Sequence, residues 1–224
     1  MLRHVMNNPV ETSVGETAYG RIRNDILFGV LEPERKLKLE GLRAAYSVSV
    51  STLRETLNRL VADGFVIAEG QKGFRVAPVS MEGLREAAEL RELLESYGLR
   101  RSIENGDIDW EGRVVAAQYK LASMEARMIE GKDVDIQQWK NFDREFHTAL
   151  ISACGSAALE RAYNAAYDHF LRFQVVKHNF RGEQAAKEHE QLMRFALNRD
   201  AEGAVRAVAE HIRRGVEHAT QTGI

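Results

Sequence analysis

Cysteine is nearly missing from this chain of 224 residues: Cys154 stands alone. That excludes an internal disulfide framework and any metal site built on a cysteine cluster. No run of about 18 apolar residues occurs, so no membrane-spanning helix is expected. Met1–Glu16 has no basic stretch followed by an apolar one and does not read as a secretory signal. With disulfides excluded, the cytoplasm is the expected compartment. Net charge is almost absent too. The 31 Lys+Arg and 33 Asp+Glu leave −2, so overall charge gives no case for nucleic-acid binding and a local surface must supply it. Internal repeats and low-complexity tracts are lacking. Apolar residues make up 44%, enough to bury a core and to exclude wholesale disorder.

Proline is scarce and unevenly placed. Pro9, Pro33 and Pro78 all lie in residues 1–78, and the rest of the chain has none. A long proline-free stretch with helical periodicity points to an all-helical domain. Charge divides at the same place: residues 1–78 hold 11 basic and 9 acidic residues, net +2, and residues 79–224 hold 20 and 24, net −4. The boundary is therefore expected near Ala77-Pro78-Val79-Ser80, which is also the expected hinge. The fold class expected is mostly α, an amino-terminal winged helix-turn-helix followed by an all-α antiparallel bundle.

In the first unit, Tyr19, Ile22 and Ile26 form a helical stripe over about 16–28, and Gly29 stops that helix. A short helix follows over about 40–46. A third runs to Asp63 with Ser51 as its N-cap, buries Leu53, Leu57, Leu60 and Val61, and ends at Gly64. Phe65–Ile67 and Phe74–Val76 read as two strands around the turn Glu69–Gly73, a wing with Lys72 at its tip. A helix presented this way offers its amino end to the major groove. Ser49, Ser51 and Thr52 can bond phosphates or base edges. Arg54 can fork onto guanine for ~1–3 kcal/mol of discrimination. Lys72 and the bare backbone of Gly73 can reach a phosphate or the minor groove. The competing reading is a solvated face, with Arg54 paired to Glu55 or Asp63, or a protein-interaction module.

The second unit reads as six helices, about 81–104, 108–130, 134–153, 156–180, 182–198 and 201–220. Bundles of this kind build sites from inward side chains. Asp143 and His147 are four apart and share a helix face with Leu150 and Ile151. His189 precedes Leu192 by one turn, and His211 flanks the Val208/Ile212 stripe. A carboxylate on an apolar face is costly unless paired or bound to metal. One Asp and three His form an O/N ligand set for a divalent ion, Zn first, with Ni or Mn as alternatives. The competing reading is an ordinary i,i+4 pair and hydrogen-bonded core histidines. His4, His169, His178 and His218 read as surface or rim residues.

The motifs also carry a resemblance. Gly29, Pro33, Leu42, Val48, Ser49, Leu53, Arg54, Glu55, Leu57, Leu60, Gly64, Phe65 and Gly73 stand at the spacing of the GntR family of bacterial transcription regulators, which Tyr19–Val76 resembles. Val50 and Thr52 replace the Arg and Pro that the family usually has there, and Glu40 stands where some members have a DNA-contacting Arg. The resemblance thus implies an unusual operator, with Arg35, Lys36, Lys38 or Arg43 supplying charge. Residues 84–213 resemble the FCD effector domain of the FadR-type subfamily through Asp143-x-x-x-His147-x-x-Leu150, Glu188-His189-x-x-Leu192 and Asp200…Ala204…His211-Ile212. Arg91 and Glu95 match its Arg-x-x-x-Glu element.

That second resemblance implies a metal on Asp143, His147, His189 and His211. It also implies a small carboxylate effector held by Arg91, with Arg172 as a weaker candidate, and a homodimer on palindromic operator DNA. The resulting expectation is a repressor without catalytic activity. Two alternatives stay open: a regulator for which the ion itself is the signal, and a metal-dependent helical enzyme fused to a DNA reader. An ion with a purely structural role is a further option.

Overall fold

The computed structural model describes residues 14–176 and 180–221. His4 and His178 lie outside the described residues, as does the stretch 177–179 of the predicted fourth bundle helix. Two compact units meet at Pro78, residues 1–78 and 79–224.

The first unit holds α1 (Val14–Leu27), β1 (Lys36–Leu37), α2 (Leu39–Tyr46), α3 (Val50–Ala62), β2 (Val66–Ala68) and β3 (Phe74–Val76). Helix α3 packs on α1, on α2 and on strand β2 of a small antiparallel sheet of order β1-β3-β2. Ile22, Ile26, Leu53, Leu57, Leu60 and Val76 are fully buried at its centre. Two expectations shift. Ser49, not Ser51, caps α3: its extended backbone lets Oγ accept the Thr52 N–H at 3.1 Å, which leaves Ser51 in the first turn. Thr56 is buried on the stripe, and Val61 packs at its margin half-buried. Strand β1 escapes the sequence reading because two residues carry no alternation. It exists by pairing, Lys36 with Arg75 and Leu37 with Phe74.

The second unit is a helical bundle of α4 (Met81–Asn105), α5 (Ile108–Ile129), α6 (Ile136–Ile151), α7 (Ala157–Val176), α8 (Glu183–Leu197) and α9 (Ala201–Gln221). Side-chain caps start five of these helices: Ser80, Asp107, Asp135, Ser156 and Asp200 accept the N–H of Gly83, Trp110, Gln138, Leu159 and Gly203. Helix α4 packs on α6, α7 and α9, and α5 packs on α6 and α8. The α4 stripe turned inward is Leu84, Ala87, Ala88, Arg91, Glu95, Gly98 and Leu99, while Tyr97 is exposed. Two charged side chains thus sit on a buried stripe, which is the first structural pointer to a site.

Trp110 is fully buried, donates from Nε1 to the Ala149 carbonyl at 3.0 Å, and leaves no room for a side chain at Gly106. A Cβ there would lie 2.3 Å from Trp110 Cε3 and 2.6 Å from the Ser102 carbonyl oxygen. Gly106→Ala is therefore expected to destabilise this unit by about 1–3 kcal/mol, the range for overpacking. Urea unfolding checks it, and an unchanged midpoint would contradict this packing.

Candidate metal centre and nucleic-acid surface

The turn between α2 and α3 is short because Ser47 takes the left-handed conformation (φ 56°) and Val48 plugs the core. It delivers Ser49 to the start of α3, where Ser49 Oγ lies 2.8 Å from Ser51 Oγ and 2.9 Å from Thr52 Oγ1. The capping role orders these hydroxyls. Ser49, Ser51 and Arg54 are exposed, as is Arg43 on α2. Among the described residues Arg54 forms no ion pair, so the pairing with Glu55 or Asp63 is not seen; Asp63 instead accepts from the Tyr19 hydroxyl at 2.6 Å. Arg59 is engaged differently, bonded to Glu16 at 2.6 Å and stacked on Tyr19. At the wing tip, Lys72 is exposed and ends a 3-10 turn, and Gly73 has φ 92° and ψ −133°. That backbone region is open only to glycine, so the turn itself requires Gly73.

In the helical unit His147 from α6, His189 from α8 and His211 from α9 come together. One ring nitrogen of each lies within 4.8 Å of the others. Each Nδ1 meets a glutamate: Glu95 at 2.5 Å from His147, Glu125 at 2.9 Å from His189, and Glu188 at 2.9 Å from His211. Nδ1–H donation to Glu95 and Glu125 fixes the tautomer of His147 and His189 that leaves the Nε2 lone pair free and more basic, whereas His211 Nδ1 lies between Glu188 and the Arg181 guanidinium. The Nε2 atoms of His147 and His189 are buried and have no hydrogen-bond partner among the described residues. Orphaned buried nitrogens cost roughly 1–3 kcal/mol each unless a ligand uses them. Asp143 stands beside them, Oδ1 3.5 Å from His189 Nε2 and 4.0 Å from His147 Nε2, while Oδ2 accepts from the Tyr167 hydroxyl at 2.5 Å. The four residues expected as ligands are thus neighbours: three histidines converge and the carboxylate flanks two of them. This donor set fits a divalent ion.

The charges fit as well. Four buried carboxylates, Asp143, Glu95, Glu125 and Glu188, surround the histidines. Burial opposes ionisation of Asp143, but Lys140, His147, His189 and Arg91 outweigh it and hold its carboxyl well below the usual range. Glu95 is lowered in the same way, burial being overcome by Arg91 and His147. Burial pushes His147 below the usual imidazole value and His211 well below it. His189 is pulled down by burial but raised more by Glu125 and Asp143, so its net shift is upward. Protons and metal compete for the same lone pairs. His189, raised above the ordinary value of ~6.5, is therefore the first ligand to be taken by a proton as pH falls. Zinc affinity should be full near pH 8 and fall from about pH 7 downward. Chelator competition across pH 8 to 5.5 measures it, and a flat profile would contradict the assignment.

Arg91 is 2% exposed and lies against the Tyr167 and Phe170 rings at 4.7 and 4.8 Å. Its Nε donates to Glu95 at 2.9 Å, and its Nη2 is a buried donor with no hydrogen-bond partner among the described residues. Glu95 therefore links Arg91 directly to His147. Arg172 on α7 is also buried, and burial brings its guanidinium down to about 10. The basic groups acting most strongly on the cluster are instead Arg91, Lys140 and Arg181. Arg181 lies 2.8 Å from Glu188 and 3.0 Å from His211 Nδ1. Sequence reasoning misses Glu125, Lys140 and Arg181 altogether. Glu125 is detectable as a charge next to Met124 on the buried face of α5.

Comparison with known proteins places these features. The family model described as "Bacterial regulatory proteins, gntR family" matches residues 14–76, and the FCD domain model matches residues 86–214. The chain is 36% identical over 214 residues to an uncharacterized HTH-type transcriptional regulator, BphR, of Paraburkholderia xenovorans (strain LB400), covering 95% of this chain and 87% of that protein. It is 31% identical to the HTH-type transcriptional repressor GlaR of Escherichia coli (strain K12), covering 87% and 90%. The solved structure of E. coli McbR/YncC superposes with a TM-score of 0.80 at 19% identity over 93% of this chain and 98% of that one, a likeness of fold.

Proposed function

Because the chain belongs to the GntR family of bacterial transcription regulators and carries an FCD effector-binding domain, we propose that it is a repressor whose operator affinity is set by a small carboxylate bound at a metal centre. The observation that carries this reading is the convergence of three histidines, one ring nitrogen of each within 4.8 Å of the others and each Nδ1 against a glutamate, beside Asp143. His147, His189, His211 and Asp143 would hold the ion, zinc by donor type, with nickel or manganese as the other candidates. A bound ion supplies Lewis acidity and positive charge for an incoming carboxylate. The chain's own groups do the rest. Glu95, Glu125 and Glu188 orient the rings, Tyr167 steadies Asp143, and Arg91 offers Nη2 to an anionic oxygen.

In the DNA reader, Ser49, Ser51, Thr52 and Arg54 face bases and phosphates, with Arg43, Lys72 and Gly73 on the backbone. Two readers in a homodimer address a palindromic operator. Repression is supported by the name of the relative GlaR. An effector that prefers one state of the dimer shifts DNA affinity by that preference, typically ~1–3 kcal/mol. The test is fluorescence anisotropy on an operator selected from random duplexes. At saturating zinc, an organic acid should lower DNA affinity roughly 5- to 150-fold, the range of ordinary coupling energies. Release driven by zinc alone would overturn the carboxylate reading in favour of a metal sensor.

A further inference from the structure

The three glutamate–histidine pairs of the metal centre are not alike. Glu125 meets His189 Nδ1 with Oε1, and its Oε2 has no hydrogen-bond partner among the described residues. Glu95 gives Oε1 to His147 and Oε2 to Arg91, so ring and guanidinium use different oxygens. At the third pair they crowd the same two atoms. Arg181 Nη2 lies 3.0 Å from His211 Nδ1, and Glu188 Oε2 lies 2.9 Å from that same nitrogen. Arg181 Nη1 lies 2.8 Å from that same oxygen, yet it makes no hydrogen bond among the described residues. It is close to the carboxylate without being aligned on it.

A guanidinium only donates, and an ionised carboxylate only accepts. Glu188 can bond Nδ1 only when that nitrogen carries the ring proton, and Arg181 only when it does not. A neutral imidazole has one such proton, so the two bonds exclude each other and each selects a tautomer. Held by Glu188, the ring keeps a lone pair on Nε2 for an ion. Held by Arg181, it carries its proton on Nε2 and cannot ligate there. Glu188 is a weakened competitor, because its Oε1 already accepts from Gln184 at 3.0 Å and Arg214 at 2.9 Å. Arg181 stands on the connection between α7 and α8, outside either helix and next to Gly182 at φ 59°.

We propose that Arg181 is a positioning residue that withholds His211 from the ion: in the metal-free chain it holds the Nε2–H tautomer, and metal binding requires it to yield Nδ1 to Glu188. This rests on the metal-centre reading. The exchange leaves the ring neutral, since Nε2 gives a proton to solvent and Nδ1 takes one up. His147 and His189, whose Nε2 atoms have no hydrogen-bond partner among the described residues, are then the two ready ligands, and His211 completes the site. A hydrogen bond from a charged donor is worth roughly 10- to 100-fold in an equilibrium, and Arg181 lowers zinc affinity by that factor.

Long-range 1H–15N correlation spectra of the full chain labelled with 15N-histidine read the tautomer, with the His211 signals assigned from His211→Gln. At pH 8 the metal-free wild type should show His211 protonated on Nε2, and Arg181→Met should show it protonated on Nδ1. In a chelator titration Arg181→Met should bind zinc at least about tenfold tighter than the wild type. Arg181→Lys keeps the positive charge but loses the second arm that reaches Nδ1, so it should behave like Arg181→Met. Charge repulsion alone would instead leave Arg181→Lys at the wild-type affinity, which overturns the proposal. So does Nε2 protonation that persists in Arg181→Met. Zinc uptake by a wild type whose metal-free His211 is protonated on Nδ1 removes this proposal alone, even if neither variant folds. A wild type that takes up no zinc removes the metal reading and this proposal together.

Discussion

His189→Ala is expected to lose zinc while remaining folded. His189 Nε2 is one of two buried imidazole nitrogens with no hydrogen-bond partner among the described residues, it lies 3.5 Å from Asp143, and its ring is held by Glu125. Removing it deletes a donor from a set that otherwise converges, and leaves Glu125 without its imidazole partner. The loss should exceed the 10- to 100-fold that outer partners of metal ligands typically carry. Glu125→Gln, which keeps the ring but weakens the acceptor at Nδ1, should fall within that 10- to 100-fold range. The order of the two variants is itself diagnostic. If Glu125→Gln costs as much as His189→Ala, the glutamate is a ligand or a fold determinant. If neither moves zinc affinity in a chelator titration, the histidines are core residues. DNA binding should survive in both variants, because the reader is a separate compact unit with its own core.

Arg54→Ala is expected to abolish sequence preference at one base pair of each half-site, a loss of ~1–3 kcal/mol of discrimination. Arg54 is exposed at the start of α3 and has no ion pair among the described residues, so its guanidinium is available for a base edge. Selection from random duplexes reads the effect whatever the operator: the wild type should enrich a palindrome with a guanine per half-site that the variant no longer selects. Lys72→Ala should instead weaken binding evenly across sequences and flatten its salt dependence, since a phosphate contact carries no base information. An unchanged enriched palindrome in Arg54→Ala would remove that residue from base reading.

Much of this is legible from the residues. Periodicity and the confinement of proline to residues 1–78 foretell the helical bundle, and the spacing Asp143–His147 puts two donors on one face. What escapes is what only packing creates. Strand β1 is two residues long and exists through its partner. The N-cap moves from Ser51 to Ser49 because both are serines and the choice depends on backbone angles. Glu95 and Glu125 come from α4 and α5 to histidines on α6 and α8, so no local spacing links them. Their one sequence signal is a charge on an otherwise apolar stripe. Lys140 gives no such hint: beside Trp139 nothing separates it from a surface lysine, and burial alone reveals it.

The most direct test of the metal centre is elemental analysis of the full chain, purified without chelator and again after reloading with zinc and desalting. The arrangement of His147, His189, His211 and Asp143 predicts about one divalent ion per chain. A folded protein that retains no ion after reloading would contradict it and leave the three glutamate–histidine pairs as core hydrogen bonds.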